Sequence, residues 1–161
     1  MSKQQYISDI SGVHWIDDYK DGYAWFMRWK DGESLAGFID QKQRVIIQPL
    51  FRKLKQFSEG LAGYYNGVAW GFINKKGEYC IPAEYYDITD GFVGGLCAVR
   101  NTKESRYGYI NRKGLYAIPP IYDFAFTFNG GLAKVVLDGQ FYFIDRHGRL
   151  KTKALCQFRG V

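Results

Sequence analysis

Proline is scarce in this chain, 4 residues in 161, and cysteine scarcer still, at 3. Histidine occurs only as His14 and His147, and no apolar run approaches the about 18 residues that a membrane-crossing helix requires. Each shortage excludes something. Cys80, Cys97 and Cys156 are an odd set without Cys-x-x-Cys spacing, so they read as free thiols in a reducing compartment rather than as a disulfide framework or a metal site. The opening "MSKQQYISDISG" lacks the apolar core of an export signal, so the expected location is the cytoplasm. The two histidines fall in an end segment and a turn tip, with no Ser or Cys nucleophile pattern beside them. There is no His-Glu-x-x-His motif, no phosphate-binding glycine loop and no paired Cys/His metal spacing. The acidic residues Asp17, Asp18, Asp21, Asp87 and Asp90 read as turn and linker residues. The expectation is a protein that is not an enzyme and that holds no cofactor and no metal.

What is abundant is aromatic and glycine content. Thirteen Tyr, twelve Phe and four Trp make 18% of the chain, and 19 Gly accompany them, a composition of strands and tight turns. The net charge of +6 favours an acidic partner surface but falls short of a dedicated nucleic-acid binder.

The sequence also repeats itself. "FSEGLA" at Phe57 returns as "FVGGLC" at Phe92 and "FNGGLA" at Phe128, with a degenerate copy, "YKDGYA", at Tyr19. The steps between these anchors are 38, 35 and 36 residues. A second anchor follows in every copy: "AGFIDQKQ" at Ala36, "WGFINKKG" at Trp70, "YGYINRKG" at Tyr107 and "FYFIDRHG" at Phe141. Two independent anchors in step define four repeats. The run "EGLA" followed by "WGFINKKGEYCIPAEYYD" resembles the WG (KWG) β-repeat family of bacterial proteins, over roughly residues 19–153. That resemblance implies a repeated β unit and no catalytic residues. The Trp-Gly pair is intact only at Trp70-Gly71; elsewhere it becomes Ala36-Gly37, Tyr107-Gly108 and Phe141-Tyr142.

Each copy is expected to form three antiparallel strands. The first alternates, as in Leu61 to Tyr65, and ends in a hairpin dipeptide, Asp31-Gly32, Asn66-Gly67 or Asp138-Gly139. The second is apolar on both faces, as in Trp70 to Ile73, so Trp70 is expected in the core. Gly71 at its centre implies a close approach, here assigned to the ring of Tyr85 or Tyr122. The turn "NKKG" fits a type I turn with a glycine bulge. The third strand is expected to stop at Pro82 or Pro119-Pro120, where proline removes a ladder donor. A unit of this size cannot bury its own apolar face, so copies must stack. The fold class is therefore all-β: four tandem three-stranded repeats in an open curved stack or a small propeller-like array. The expected organisation is one domain, 1–161, with repeats at about 19–56, 57–91, 92–127 and 128–153. Caps are expected at 1–18, through Ile10, Val13 and Trp15, and at 154–161, through Leu155 and Phe158.

Comparing copies separates core from candidate surface. On the first strand, Ala24/Phe26, Ala62/Tyr64, Cys97/Val99 and Ala133/Val135 are apolar throughout and read as core. The opposite face varies and supplies the protein-binding candidates Trp25, Met27, Trp29, Tyr65 and Arg100. Trp25, Met27 and Trp29 either anchor another protein or lie under the N-terminal segment. A second set, Lys42, Lys75, Lys76, Arg112, Lys113 and Arg146, sits at turn tips and would form a basic ridge if the copies stack in register. The first set predicts a protein-binding module, an adaptor or a neutralising partner of another protein. The second predicts a binder of nucleic acid or another polyanion.

Overall fold

The computed structural model describes residues 4–153. It is all-β, with four antiparallel four-stranded sheets, each built from strands consecutive in the chain. The first holds β1 (Val13–Ile16), β2 (Tyr23–Lys30), β3 (Glu33–Asp40) and β4 (Val45–Phe51). The second holds β5 (Lys53–Leu54), β6 (Leu61–Tyr65), β7 (Trp70–Asn74) and β8 (Tyr79–Tyr85). The third holds β9 (Asp87–Ile88), β10 (Leu96–Arg100), β11 (Tyr107–Asn111) and β12 (Tyr116–Tyr122). The fourth holds β13 (Phe124–Ala125), β14 (Leu132–Leu137), β15 (Gln140–Asp145) and β16 (Leu150–Lys153). The expected three strands per copy are thus four. In the last three sheets the addition is a two-residue strand ahead of the Gly-Leu-Ala anchor; in the first it is β1, from the expected cap.

The chain divides into two compact units, one up to Glu84 and one from Tyr85. In the first unit, Ile7 and Ile10 of a short 3-10 turn close over Ala24, Phe26, Ile39 and Val45. Ile10 is buried in this cluster and Val13 packs against it, whereas Trp15 is exposed, because β1 extends the sheet edge by pairing with β2 rather than covering a face. Leu155 and Phe158 lie outside the described residues. A second cluster joins Phe38, Phe51, Phe57, Tyr64 and Ile73. The core of the second unit centres on Tyr107, Tyr109, Tyr122, Phe128 and Val135. Burying each such side chain contributes about 1.5–3 kcal/mol. The residues read as core on the first strands are buried, from Ala24 and Phe26 through to Ala133 and Val135.

The turn chemistry follows the residues. Asp31-Gly32 and Asp138-Gly139 have both φ angles positive, which suits the right-handed twist of a two-residue hairpin. Asn66 differs: its side chain accepts from Val68 N and Ala69 N, both at 2.9 Å, and closes a four-residue loop between Tyr65 and Trp70. At the "NKKG" turn, Asn74 Oδ1 accepts from Lys76 N and Glu78 N at 2.9 and 3.0 Å, while Gly77 takes a φ of 79°. Gln43 occupies the glycine position of the first copy at a φ of 60°.

Prolines do not end the third strand. Pro49, Pro82 and the Pro119-Pro120 pair lie inside β4, β8 and β12. There the ladder is bulged: Ala36 and Phe38 pair with Phe51 and Ile47, and Tyr107 and Tyr109 with Tyr122 and Ile118. A residue without an N–H costs nothing where the ladder is already interrupted. The bulge also explains the strand-centre glycine. A Cβ on Gly71 would fall 2.6 Å from the Ile81 carbonyl oxygen, 2.7 Å from Ala83 N and 2.7 Å from the Tyr64 ring. Gly37 and Gly108 face the same backbone crowding. The approach is therefore by backbone and Tyr64, not by Tyr85 or Tyr122. In the fourth sheet Tyr142 and Phe143 pair directly with Lys153 and Thr152, and Tyr142 stands where the others need glycine.

Candidate functional site

Trp70 is the main correction to the expected core. It opens β7, next to the Asn66 loop, and is only half-buried, whereas Phe72 and Ile73 further along are fully buried. Its ring lies 5.3 Å from that of Tyr65, and the Lys55 ammonium sits 5.5 Å from its centre. With Trp25, Met27 and Leu54 it lines a cavity of about 360 Å³ in the first unit. Ala36, Arg52, Lys53 and Lys55 complete its lining.

A shallower depression of about 780 Å³ adjoins this cavity and shares Met27, Arg52 and Lys53 with it. Trp29, Glu33, Tyr65 and Val68 line its remaining walls. The two form one groove running toward the tips of the β2–β3 and β6–β7 hairpins. Four of the five protein-binding candidates, Trp25, Met27, Trp29 and Tyr65, come together in it. Among the described residues His14 stacks on Trp29 at 5.4 Å, and Trp29 remains 55% exposed. The lining residues include three cations, Arg52, Lys53 and Lys55, and one carboxylate, Glu33, which Arg52 binds at 2.6 Å. Lys53 lies 5.5 Å from the Tyr65 ring centre and makes no ion pair among the described residues. The groove thus combines apolar and aromatic lining residues with the cations Arg52, Lys53 and Lys55.

Arg100 belongs to the second unit and has a different setting. Its guanidinium packs against the rings of Tyr86 and Tyr107, at 4.9 and 5.0 Å, and donates to the Lys103 carbonyl at 3.0 Å. Asp87, expected in a linker, lies in β9 and accepts a hydrogen bond from the Tyr107 hydroxyl. Burial and that carboxylate together push the Tyr107 phenol well above its ordinary range.

The turn-tip cations divide between the units. Lys42, Lys75 and Lys76 are exposed in the first, and Arg112, Lys113 and Arg146 in the second. Lys75 folds over the Tyr23 ring at 4.6 Å. Two of these turns carry their own carboxylate. Asp40 is bound by Arg44 at 2.6 Å, and Asp145 by Lys151 at 3.2 Å. Desolvation pushes the Asp145 carboxyl up, but the backbone N–H groups of Arg149 and His147 and the Lys151 ammonium outweigh it and hold it at about 2. Asp40 is lowered in the same way: against desolvation stand the N–H groups of Arg44 and Lys42 and the Arg44 guanidinium.

Among the described residues no three His, Cys, Asp or Glu side chains converge on a metal position, and no helix is long and apolar enough to cross a membrane. Sequence reasoning missed Trp70, Arg52, Lys53 and Lys55 as groove residues. The available signal was the Lys53/Lys55 pair, which alternates around buried Leu54.

A search of the curated proteins finds no match to this chain. The family model described as WG containing repeat matches residues 37–67, 70–103 and 107–141. Each match takes the last two strands of one sheet and the first two of the next, so the sequence repeat and the sheet are out of phase. The matches cover more than half of the chain, which therefore belongs to the WG-repeat family.

Proposed function

We propose that the chain is a non-enzymatic protein-binding module of the cytoplasm, an adaptor or a neutralising partner, and that its partner seats in the groove of the first unit. The observation that carries this reading is the convergence of Trp25, Met27 and Trp70 on one cavity beside Arg52, Lys53 and Lys55. Aromatic residues, Met and Arg are the types enriched at the energetic centres of interfaces. The free thiols Cys80 and Cys97 suit a reducing compartment. The test is capture from nuclease-treated lysate of the source cells at low and high salt. A partner protein retained by the native chain and lost with Trp25→Ala plus Trp29→Ala supports the reading; capture that disappears with nuclease removes it.

A second reading, binding of nucleic acid or another polyanion through the turn tips, draws on the exposure of Lys42, Lys76, Arg112 and Lys113. Binding that falls steeply with salt and ignores the groove variants would favour it.

A further inference from the structure

The aromatic rings of the groove carry hydrogen-bond donors that the fold does not use. Trp25, Met27 and Trp29 share one side of β2, and Tyr65 and Trp70 pair across the β6–β7 hairpin. Among the described residues none of the indole N–H groups of Trp25, Trp29 and Trp70 donates a hydrogen bond. Trp25 and Trp70 are half-buried, yet the buried polar atoms without a partner, on Arg28, Gln56 and Arg100, include no indole nitrogen. Both N–H groups therefore reach solvent, and the Trp29 ring is exposed. The side-chain acceptors of the groove are engaged instead. Glu33 is bound by Arg52, Ser34 Oγ is paired with His14 at 3.4 Å, and Asn66 Oδ1 takes Val68 N and Ala69 N. The Asn66 amide and the Lys53 ammonium add donors, while the Tyr65 hydroxyl can do either. The site offers aromatic faces and an excess of donors.

Its occupant must bring apolar groups and acceptors, and few donors of its own. A helix consumes its carbonyls in its own i to i−4 bonds and would leave the indoles unanswered. An extended strand brings as many N–H groups as carbonyls, and the backbone here has no free edge to take them. β2 is flanked by β1 and β3, and β6 by β5 and β7. A polyproline II segment has no internal hydrogen bonds, so its carbonyls are open, and each proline removes an N–H. Its rings dock between aromatic side chains at little entropic cost. The charge pattern is complementary, with positive N–H ends on the groove and negative carbonyl ends on the segment. The reach also matches: β2 rises about 13 Å from Trp25 to Trp29, which such a segment covers in about four or five residues.

Resting on the protein-binding reading above, we propose that the groove binds a proline-rich segment of the partner protein in the polyproline II form. Its rings lie against Trp25, Trp29, Tyr65 and Trp70, and its carbonyls accept from the indole N–H groups. Trp15, the fourth indole of the chain, does not line the groove and is an internal control.

The test is an NMR titration of the 15N-labelled full-length chain with synthetic decaproline, read on the four indole N–H signals. Those of Trp25, Trp29 and Trp70 should shift and saturate, and that of Trp15 should stay. A decapeptide of alternating Gly and Ser should move none of them. The affinity for decaproline should fall about tenfold or more with Trp25→Ala plus Trp29→Ala. Trp29→Phe plus Trp70→Phe keeps the rings, removes two donors and should weaken binding about fivefold or more. Circular dichroism establishes that each variant folds. If the Phe pair does not fold, Trp29→Phe alone decides, with an expected loss of about twofold or more. Unchanged affinity in the Phe variant overturns the proposal, as does a shift at Trp15 equal to those in the groove. A dT15 oligonucleotide that saturates the groove signals at lower concentration overturns it in favour of a nucleic-acid strand. If decaproline leaves the groove signals unmoved while phage-selected peptides without proline move them, the groove remains a protein-binding site and the proline-rich occupant is rejected. A partner protein captured from lysate regardless of every groove variant would reject the protein-binding groove itself.

Discussion

The Lys55 ammonium lies 5.5 Å from the centre of the Trp70 ring, so the Trp-Gly tryptophan is held at the surface by a cation rather than sunk in the core. Truncating a fully buried Trp costs about 3–5 kcal/mol. Half-buried Trp70 should cost less: Trp70→Ala is expected to lose about 1–2 kcal/mol, combining partial burial with a cation–π contact of about 0.5–1 kcal/mol. Urea denaturation measures this directly. A loss of full core size would contradict the placement of Trp70 in the groove.

Gly71 is the more demanding member of the pair. Its missing Cβ would meet backbone atoms of Ile81 and Ala83 at 2.6 and 2.7 Å, and a bulged strand has little freedom to retreat. Gly71→Ala should therefore destabilise by about 1–3 kcal/mol or more. At about 2–4 °C per kcal/mol for a chain of this length, the fall in melting temperature should exceed that of Trp70→Ala. The reverse order would mean that the bulge yields easily.

Acid should loosen the fourth-sheet turn before the second- and third-sheet turns. The Asp145 carboxyl is held at about 2, below the about 3.9 of an unfolded Asp. A depressed carboxyl contributes stability that is present above the unfolded value and lost as pH falls through the folded one. Asp145→Asn should flatten the dependence of stability on pH in that interval, because Asn accepts the same backbone bonds in the Asn74 and Asn111 turns. Carboxyl NMR titration of the native chain should give a midpoint near about 2 for Asp145 and a lowered one for Asp40.

The groove and the turn tips make opposite claims on binding. Trp25→Ala plus Trp29→Ala should abolish partner capture while the fold persists, since hot-spot truncations cost about 2 kcal/mol or more each. Reversing Lys75, Lys76, Arg112 and Lys113 to Glu should slow association and change its salt dependence without eliminating binding. Surface plasmon resonance with the captured partner separates the two, and the opposite ranking would transfer the function to the turn tips.

The hairpins, the Asx turns with their glycine bulges and the buried faces of the first strands were legible in the sequence because each depends on neighbouring residues. The strands Lys53–Leu54, Asp87–Ile88 and Phe124–Ala125 were not, since two residues establish no period. Pro82 and Pro120 read as strand ends because a bulge, which makes proline harmless, leaves no local mark of its own. Trp70 looked central because both faces of its strand are apolar, yet it stands at the strand's first residue, beside a loop. The groove was half legible: Trp25, Met27 and Trp29 break the repeat pattern and drew attention. Their meeting with Arg52, Lys53 and Trp70 depends on how one sheet packs against the next, which no spacing along the chain encodes.

The offset between the family repeat and the sheets ties neighbouring copies together. Each matched stretch runs from the third strand of one sheet to the second strand of the next. The pairings of Leu61–Tyr65 with Trp70–Asn74 and of Leu96–Arg100 with Tyr107–Asn111 therefore join strands from successive matched stretches, and no matched stretch completes a sheet by itself.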